Sequence, residues 1–323
     1  MTTVSSAWAT FTATAALATS HATAATVHAP ASTAGFDGGG FGRTLLLTAL
    51  TVVVVLAVTF AVALRVGKQA VIDVTWGLGF VALAVTAFVS SSGHGDGLRR
   101  WLALVLTASW GLRLAGHIWN RSRGSGEDPR YEAMLARADG NPKAYALVHI
   151  YLPQGLTMWF VSLPVQIAMF VEGGQRWVLW LGVLVWAVGL FFEGVGDLQL
   201  MRFRRDASNR GAVLDTGLWR YTRHPNYFGD ACVWSGLFLV AASAWPGALT
   251  ILSPAVMVWN LYAGTGKKLL EKDIGDRRPA YAHYVRRTSG FFPWPPKPAD
   301  PARTRTRAAD CQTGLSERRA GRR

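Results

Sequence analysis

The 323-residue chain contains few of the residues that form disulfide bonds or bind structural metal ions. It has only two cysteines and no Cys-x-x-Cys pair, which excludes a disulfide framework and the common cysteine-rich zinc or redox sites. Charged residues make up only 16% of the chain, and acidic residues are scarce, with 19 Asp and Glu against 33 Lys and Arg. We therefore predict no metal site and no structural disulfide.

The usual nucleotide-binding glycine motifs are also missing. The glycines of 38–42 follow no strand and precede a long apolar run, so they do not form a dinucleotide-binding fingerprint. Residues 264–268, Gly-Thr-Gly-Lys-Lys, lack both the first glycine of a P-loop and the Ser or Thr after its lysine. Any nucleotide site in this chain must be built without a Rossmann or P-loop unit.

Long apolar runs dominate the sequence, since half of all residues are apolar. Runs of about 20 such residues are typical of membrane-spanning helices. The sequence predicts an all-α, polytopic integral membrane bundle in residues 41–298, preceded by a disordered, Ala- and Thr-rich leader (1–40) and followed by a disordered basic tail (299–323). About seven spans are predicted, at 43–64, 74–92, 98–119, 145–171, 177–200, 227–244 and 245–263.

The basic residues are concentrated in alternate connecting segments. With the C-terminus inside, the predicted cytoplasmic segments hold 28 of the 33 lysines and arginines. This asymmetry follows the positive-inside rule and predicts an N-out, C-in protein of the cytoplasmic membrane. It also explains the net charge of +14 without a nucleic-acid partner, and we predict none.

The densest polar cluster is the segment 217–230, Gly-Leu-Trp-Arg-Tyr-Thr-Arg-His-Pro-Asn-Tyr-Phe-Gly-Asp. Pro225 is typical of the first position of a helix, which places Asn226, Tyr227 and Asp230 near that helix's positive N-terminal end. Two arginines that precede a helix N-terminus, Arg220 and Arg223 here, are typical of a phosphate site. A simple turn at His224 and Pro225, or anchoring at the membrane interface, would leave the same pattern.

Other polar residues lie in or beside predicted spans. Glu193 and Asp197 share one helical face, where they either bind polar groups of a ligand or pair with arginines at the end of their own span. Arg113 and His117 share a face of the third span and are candidate functional residues, although a buried histidine can be purely structural. Near the C-terminus, Tyr281 and Tyr284 are three residues apart. They either contact a ligand or hold a short helix at the bilayer surface.

These segments together resemble an uncharacterised bacterial membrane family that is grouped with the C-terminal domain of steroid 5-alpha-reductases. The resemblance rests on 217–230, on the Glu193 and Asp197 pair, on the ending 271–293, and on the motifs Asp-Val-Thr-Trp-Gly (73–77) and Arg121 to Tyr131. It covers roughly residues 70–297. It departs from the steroid reductases in the third span, where His117 is followed by Ile118 instead of a tyrosine that polarises the substrate.

The resemblance implies a reductase that binds NADPH from the cytoplasm and reduces a C=C bond in a lipophilic substrate. Because they are polar residues inside a predicted span, His117 and Arg113 are the predicted catalytic residues, with His117 polarising the substrate. The residues that the resemblance and the polar clusters assign to the cofactor are Glu193, Asp197, Arg204, Arg220, Arg223, His224, Asn226, Tyr227, Asp230, Tyr281 and Tyr284. The pattern Arg-His-Pro-x-Tyr-x-Gly (223–229) is shared with isoprenylcysteine carboxyl methyltransferases. An S-adenosylmethionine-dependent methyltransferase is thus the alternative, and a non-catalytic lipid-binding membrane protein is a third.

Overall fold

The computed structural model describes residues 36–262 and 279–298, and these residues form helices without any β-strand. Most of the predicted leader, the predicted tail and residues 264–268 lie outside this range. The helices in chain order are α1 (Gly38–Val66), α2 (Val71–Ser90), α3 (Gly97–Ser122), α4 (Pro129–Leu135), α5 (Pro142–Ala168), α6 (Arg176–Arg205), α7 (Pro225–Ala242), α8 (Leu252–Tyr262) and α9 (Pro279–Arg287). Short 3₁₀ turns occur at Ala207–Asn209, Gly217–Arg220 and Gly247–Ile251.

Four of these helices, α1, α2, α5 and α6, are long and apolar enough to cross a membrane. The chain is therefore a helical membrane protein with four candidate spans in its described part. The predicted spans 98–119 and 227–244 also coincide with helices, α3 and α7, but both are interrupted by polar side chains. The count of seven spans and the N-out, C-in orientation stay predictions.

Polar capping residues determine where several helices begin. The side chain of Asp37 accepts a hydrogen bond from the backbone N–H of Gly40, and the side chain of Asp96 accepts one from the N–H of Arg99. Such caps satisfy backbone donors that have no partner within the helix. Pro225 is the first residue of α7, where its missing N–H costs nothing. α7 thus begins at the proline that the sequence indicates.

Helix α1 has one face turned away from the protein and one face bonded to it. Leu46 is 73% exposed and Val53 is 62% exposed, which suits a surface covered by lipid. On the opposite face, Thr48 Oγ1 donates to Gln166 Oε1 over 2.7 Å, and Thr59 Oγ1 donates to Thr75 Oγ1 over 3.0 Å. Hydrogen bonds between helices compensate for the absence of a hydrophobic driving force in lipid.

Helices α6 and α7 approach each other closely along a seam of glycines. A Cβ atom on Gly189 would lie 2.5 Å from the carbonyl oxygen of Gly229, and one on Gly182 would lie 2.8 Å from that of Gly236. Small residues at such positions let helix backbones pack closely in membranes. Because the glycines repeat every seven residues on both helices, the contact extends over at least two turns. This seam brings the polar residues of α6 and α7 together.

Two arginines on the predicted outer side serve packing. Arg99 is 1% exposed, and its guanidinium donates to the carbonyl oxygens of Val171 and Gly173 and to Ser243 Oγ. Arg176 forms a salt bridge with Asp96, with 2.7 Å between Nη2 and Oδ2. Both arginines therefore have intramolecular partners that account for their presence on the side where basic residues are few.

The glycine seam generates a first prediction. Gly189→Ala and Gly229→Ala would force α6 and α7 apart, and such overpacking costs about 1–3 kcal/mol. We expect each variant to lower the midpoint of thermal unfolding in detergent by several degrees. Gly194→Ala is the matched control on α6, because a Cβ there meets nothing within 4 Å and alanine favours a helix. An equally large fall in the unfolding midpoint of Gly194→Ala would contradict the close packing of α6 and α7 at these glycines.

Candidate functional site

Two helices, α3 and α6, bring an arginine and two carboxylates together inside the protein. The guanidinium of Arg113, on α3, donates from Nη1 to Asp197 Oδ2 over 2.8 Å and from Nη2 to Glu193 Oε1. Trp110 Nε1, one turn before Arg113, donates to the other oxygen of Glu193 over 2.9 Å. Glu193 and Asp197 are only 3% and 8% exposed. The predicted catalytic arginine and the predicted cofactor carboxylates thus form one buried ion-pair cluster.

Asp230 adds a third carboxylate to this cluster. It follows Gly229, where a Cβ would lie 2.6 Å from the backbone nitrogen of Glu193, so α7 passes directly beside Glu193. Asp230 Oδ1 and Trp234 Nε1 are both buried, and the indole N–H of Trp234 interacts with the Asp230 carboxylate. Three carboxylates therefore lie near one guanidinium, and this excess of acceptors favours a bound proton, a donor or a cation.

The first turn of α7 and His117 complete the cluster. Asn226 Nδ2 lies 3.4 Å from Asp197 Oδ1, and the side-chain oxygen of Asn226 accepts from the backbone N–H of Tyr227. His117 Nε2 lies 3.6 Å from Asp197 Oδ2. The ring of His224 stacks on that of Tyr227, with 5.3 Å between centroids. Asp197 is the point where the predicted catalytic and cofactor residues meet.

A loop between α3 and α4 closes over the start of α2. The carboxylate of Glu127 accepts hydrogen bonds from the backbone N–H groups of Gln69 and Ala70, which caps the helix and complements its dipole. The phenol of Tyr131 donates to Asp73 Oδ1 over 2.5 Å. Burial, and then the Asp73 carboxylate, raise the pKa of Tyr131. The sequence patterns at 73–77 and 121–131 therefore belong to one clamp.

The charged residues of this clamp lie near enough to the candidate site to affect its electrostatics. Arg130 donates to both Asp128 and Asp73, and its hydrogen bond to Asp128 lowers the pKa of that carboxyl. The positive charges of Arg121 and Arg130 act on the Tyr227 phenol at the head of α7. Sequence reasoning did not identify Arg130 or the clamp as neighbours of the site, because no local pattern indicates a contact between α4 and α2.

Arg223 binds the C-terminal part of the protein. Its Nη1 donates to the carbonyl oxygens of Val285 and Thr288, over 3.1 Å and 2.7 Å, and its backbone N–H donates to Ser289 O over 2.9 Å. Arginine at the end of a helix satisfies carbonyls that have no partner within it. The guanidinium is thus directed at α9, and a phosphate would have to compete with these carbonyls for it.

The predicted tyrosines near the C-terminus are internal. Tyr281 and Tyr284 are 9% and 6% exposed, their rings are 5.8 Å apart, and the phenol of Tyr284 donates to the carbonyl oxygen of Trp219. Tyr284 therefore holds α9 against the segment 217–224, and both rings are buried within the protein. A direct contact between either ring and a cofactor stays a prediction.

Exposed arginines surround the cytoplasmic end assigned by the charge pattern. Arg204 and Arg220 are both exposed, and Arg220 forms no ion pair with any residue that the structure describes. Arg202 lines a cavity of about 370 Å³ together with Gln199 and Thr216. The guanidinium groups of Arg202 and Arg220 are available to an anionic ligand that approaches from this end.

The chain matches the family described as "Protein of unknown function (DUF1295)" over residues 59–288. It is 23% identical over 256 residues to an uncharacterized protein of the fission yeast Schizosaccharomyces pombe, and the alignment covers 69% of this chain and 72% of the yeast protein. No solved structure matches the chain. The matched range includes all of α3, α6 and α7, and hence every residue of the buried cluster.

The buried ion pairs predict the effect of removing their cation. Arg113→Met would leave Glu193 and Asp197 unpaired, and breaking such a pair costs about 3–5 kcal/mol. We expect a marked fall in the thermal unfolding midpoint in detergent. The exposed Arg121→Met is the control and should change it little. Adding Glu193→Gln and Asp197→Asn to Arg113→Met should restore part of the stability. If the triple variant unfolded at the same temperature as Arg113→Met alone, the loss of stability would not come from the unpaired carboxylates.

The contacts of Arg223 predict that its removal loosens α9, whereas removal of the nearby Arg220 does not. Arg223→Ala would release the end of α9, so trypsin should cleave after Arg286 and Arg287 faster than in the wild type, since local opening controls such cleavage. Arg220→Ala, three residues away and exposed, should leave the cleavage rate unchanged. Mass spectrometry of timed digests measures both rates. Equal rates in Arg223→Ala and wild type would contradict the structural role of Arg223.

Proposed function

The chain belongs to the DUF1295 family, and from its site we propose that it is a membrane reductase that uses NADPH to reduce a C=C bond in a lipophilic substrate. The observation that carries this proposal is the buried cluster of three carboxylates and Arg113 at the head of α7. We also propose that the protein is related to steroid 5-alpha-reductases. The substrate belongs to the steroid, isoprenoid or lipid class.

The proposed topology is a bundle of seven spans in a bacterial cytoplasmic membrane, with the C-terminus in the cytoplasm. The distribution of basic residues supports this orientation. The internal bonds of Arg99 and Arg176 support it further, because they account for two of the few arginines on the opposite side. In this orientation the first turn of α7 lies at the end of the bundle that faces the compartment containing NADPH.

The residues at the site fit the polar groups of this cofactor. Arg113 Nε is buried without a hydrogen bond to any described residue, so it offers a donor, and the buried carboxylate of Asp230 offers an acceptor. Asn226, Glu193 and Asp197 would bind the amide and ribose hydroxyls. The exposed Arg204 and Arg220 would bind the phosphates, beside the stacked pair of His224 and Tyr227. Arg223, Tyr281 and Tyr284 would act by holding α9 in place.

Reduction of an activated C=C bond requires a hydride at the β carbon and a proton at the α carbon. When bound, NADPH supplies the hydride. His117 is the proposed donor to the substrate oxygen or carbon, because it lies beside the buried cluster, with its Nε2 3.6 Å from Asp197 Oδ2. Arg113 fixes both carboxylates, so it positions Asp197 and acts on His117 indirectly.

One feature favours the alternative of a methyltransferase. The excess of carboxylates around Arg113 would also stabilise the sulfonium cation of S-adenosylmethionine. That cofactor, however, has no phosphates, and it gives the exposed Arg220 no partner. Arg220 therefore favours NADPH. A protein that binds lipid without catalysis is the third possibility.

Titration of the purified protein in detergent separates these functions. We expect micromolar NADPH binding by calorimetry. Asp230→Asn and Arg220→Ala should each weaken it about tenfold, as loss of a charge-assisted hydrogen bond does. The matched controls are Asp215→Asn and Arg210→Ala, which remove exposed charges of the same type. Binding of S-adenosylmethionine alone would establish the alternative. Binding of neither cofactor would favour a non-catalytic protein.

A further inference from the structure

The segment that follows α9 carries large aromatic side chains on the outside of the protein. Phe292 is 67% exposed, Trp294 is 71% exposed and Tyr221, which lies beside them, is 42% exposed. We refer to these three residues, with Arg286 and Lys297, as the aromatic-basic surface. Exposed Trp and Phe side chains of this size are unfavourable in water unless another phase or molecule covers them.

This surface is held in a defined conformation by the protein. The backbone N–H of Trp294 donates to Tyr221 O over 2.9 Å. Lys297 N donates to Arg287 O over 3.0 Å, and Arg287 Nε donates back to Lys297 O over 3.2 Å. Phe291, which directly precedes Phe292, is buried, at 4% exposure. The outward direction of Phe292 and Trp294 is therefore fixed by the residues on either side of them.

A row of aromatic rings connects this surface with the side of α6. Phe228, in the first turn of α7, makes edge-to-face contacts with Phe292 at 6.2 Å and with Phe192 at 5.0 Å. Phe191, next to Phe192, is 55% exposed on α6, one of the four candidate spans. The aromatic-basic surface is thus continuous with a helix side that faces lipid, at the level where α7 begins.

The charge of the aromatic-basic surface indicates whether a membrane or a second copy of the protein covers it. Residues 279–297 contain no Asp or Glu, whereas Arg286 and Lys297 are both exposed. Aromatic rings near the headgroup level, flanked by cations, are typical of segments that lie in a membrane interface. A second protein copy would have to supply acidic groups to match the cations, and the chain is strongly basic, at +14.

We propose that the aromatic-basic surface binds anionic phospholipid headgroups of the membrane that contains the protein. Phe292 and Trp294 insert among the upper acyl chains, and Arg286 and Lys297 contact the headgroup phosphates. This inference does not depend on the cofactor or the reaction. Because Arg223 and Tyr284 join the same segment to the residues before α7, bound lipid would also stabilise the surroundings of the candidate site.

Site-specific quenching in lipid nanodiscs tests this proposal. A fluorophore is attached to Trp294→Cys in a chain with Cys232→Ala and Cys311→Ser, and a second label at Ala207→Cys, in an exposed turn, serves as control. The discs contain phosphatidylcholine with one-fifth brominated phosphatidylglycerol or, separately, one-fifth brominated phosphatidylcholine. We expect both lipids to quench the label at 294 more than that at 207, and brominated phosphatidylglycerol to quench it more strongly.

Charge variants separate headgroup binding from simple burial in lipid. Arg286→Gln and Lys297→Gln should each reduce the preference for phosphatidylglycerol by up to about fivefold, the effect of one basic residue near an anionic surface. The exposed Arg210→Gln should leave it unchanged. Absence of quenching at 294, equal quenching by both lipids, or energy transfer between labelled copies in place of lipid quenching would each overturn the proposal. Thermal unfolding in detergent verifies that every variant is folded.

Discussion

The ion pairs of Arg113 with Glu193 and Asp197 determine how the central helices pack. An unpaired charge at this depth would be strongly unfavourable, so α3 and α6 are held in the register that joins the guanidinium to both carboxylates. Trp110 strengthens that register with a hydrogen bond to the second oxygen of Glu193. The polar cluster is therefore a structural constraint first, and its chemistry depends on the same contacts.

The close contact between α6 and α7 adds a further polar helix to this cluster. The pairs Gly189 with Gly229 and Gly182 with Gly236 leave no room for a side chain between the helices. As a result, Asp230 lies beside Glu193, and the head of α7 comes close to Asp197. Close packing thus forces a third carboxylate into the cluster. The resulting excess of negative charge is the feature that a ligand donor or a proton would neutralise.

Much of the helical architecture could be predicted from the sequence, because apolar runs and capping residues act locally. The first predicted span, 43–64, lies within α1, and Pro225 begins α7 as the sequence indicates. Partners over long distances could not be predicted. The sequence leaves two roles open for Glu193 and Asp197, and neither helical periodicity nor spacing indicates that Arg113, 80 residues away, is the partner of Glu193. The glycine seam is equally hidden, because a period of seven on one helix does not indicate which other helix it contacts.

The role of Arg223 bears on why two cofactor classes share the Arg-His-Pro-x-Tyr-x-Gly pattern. In this protein the arginine binds the carbonyls of Val285 and Thr288, and the glycine allows the contact with α6. The proline starts the helix. These residues build the junction between α7, α6 and the C-terminal segment. Under the proposed function, the choice of cofactor would rest on the residues around the junction, above all Asp230 and the exposed Arg220, which differ in charge and in depth.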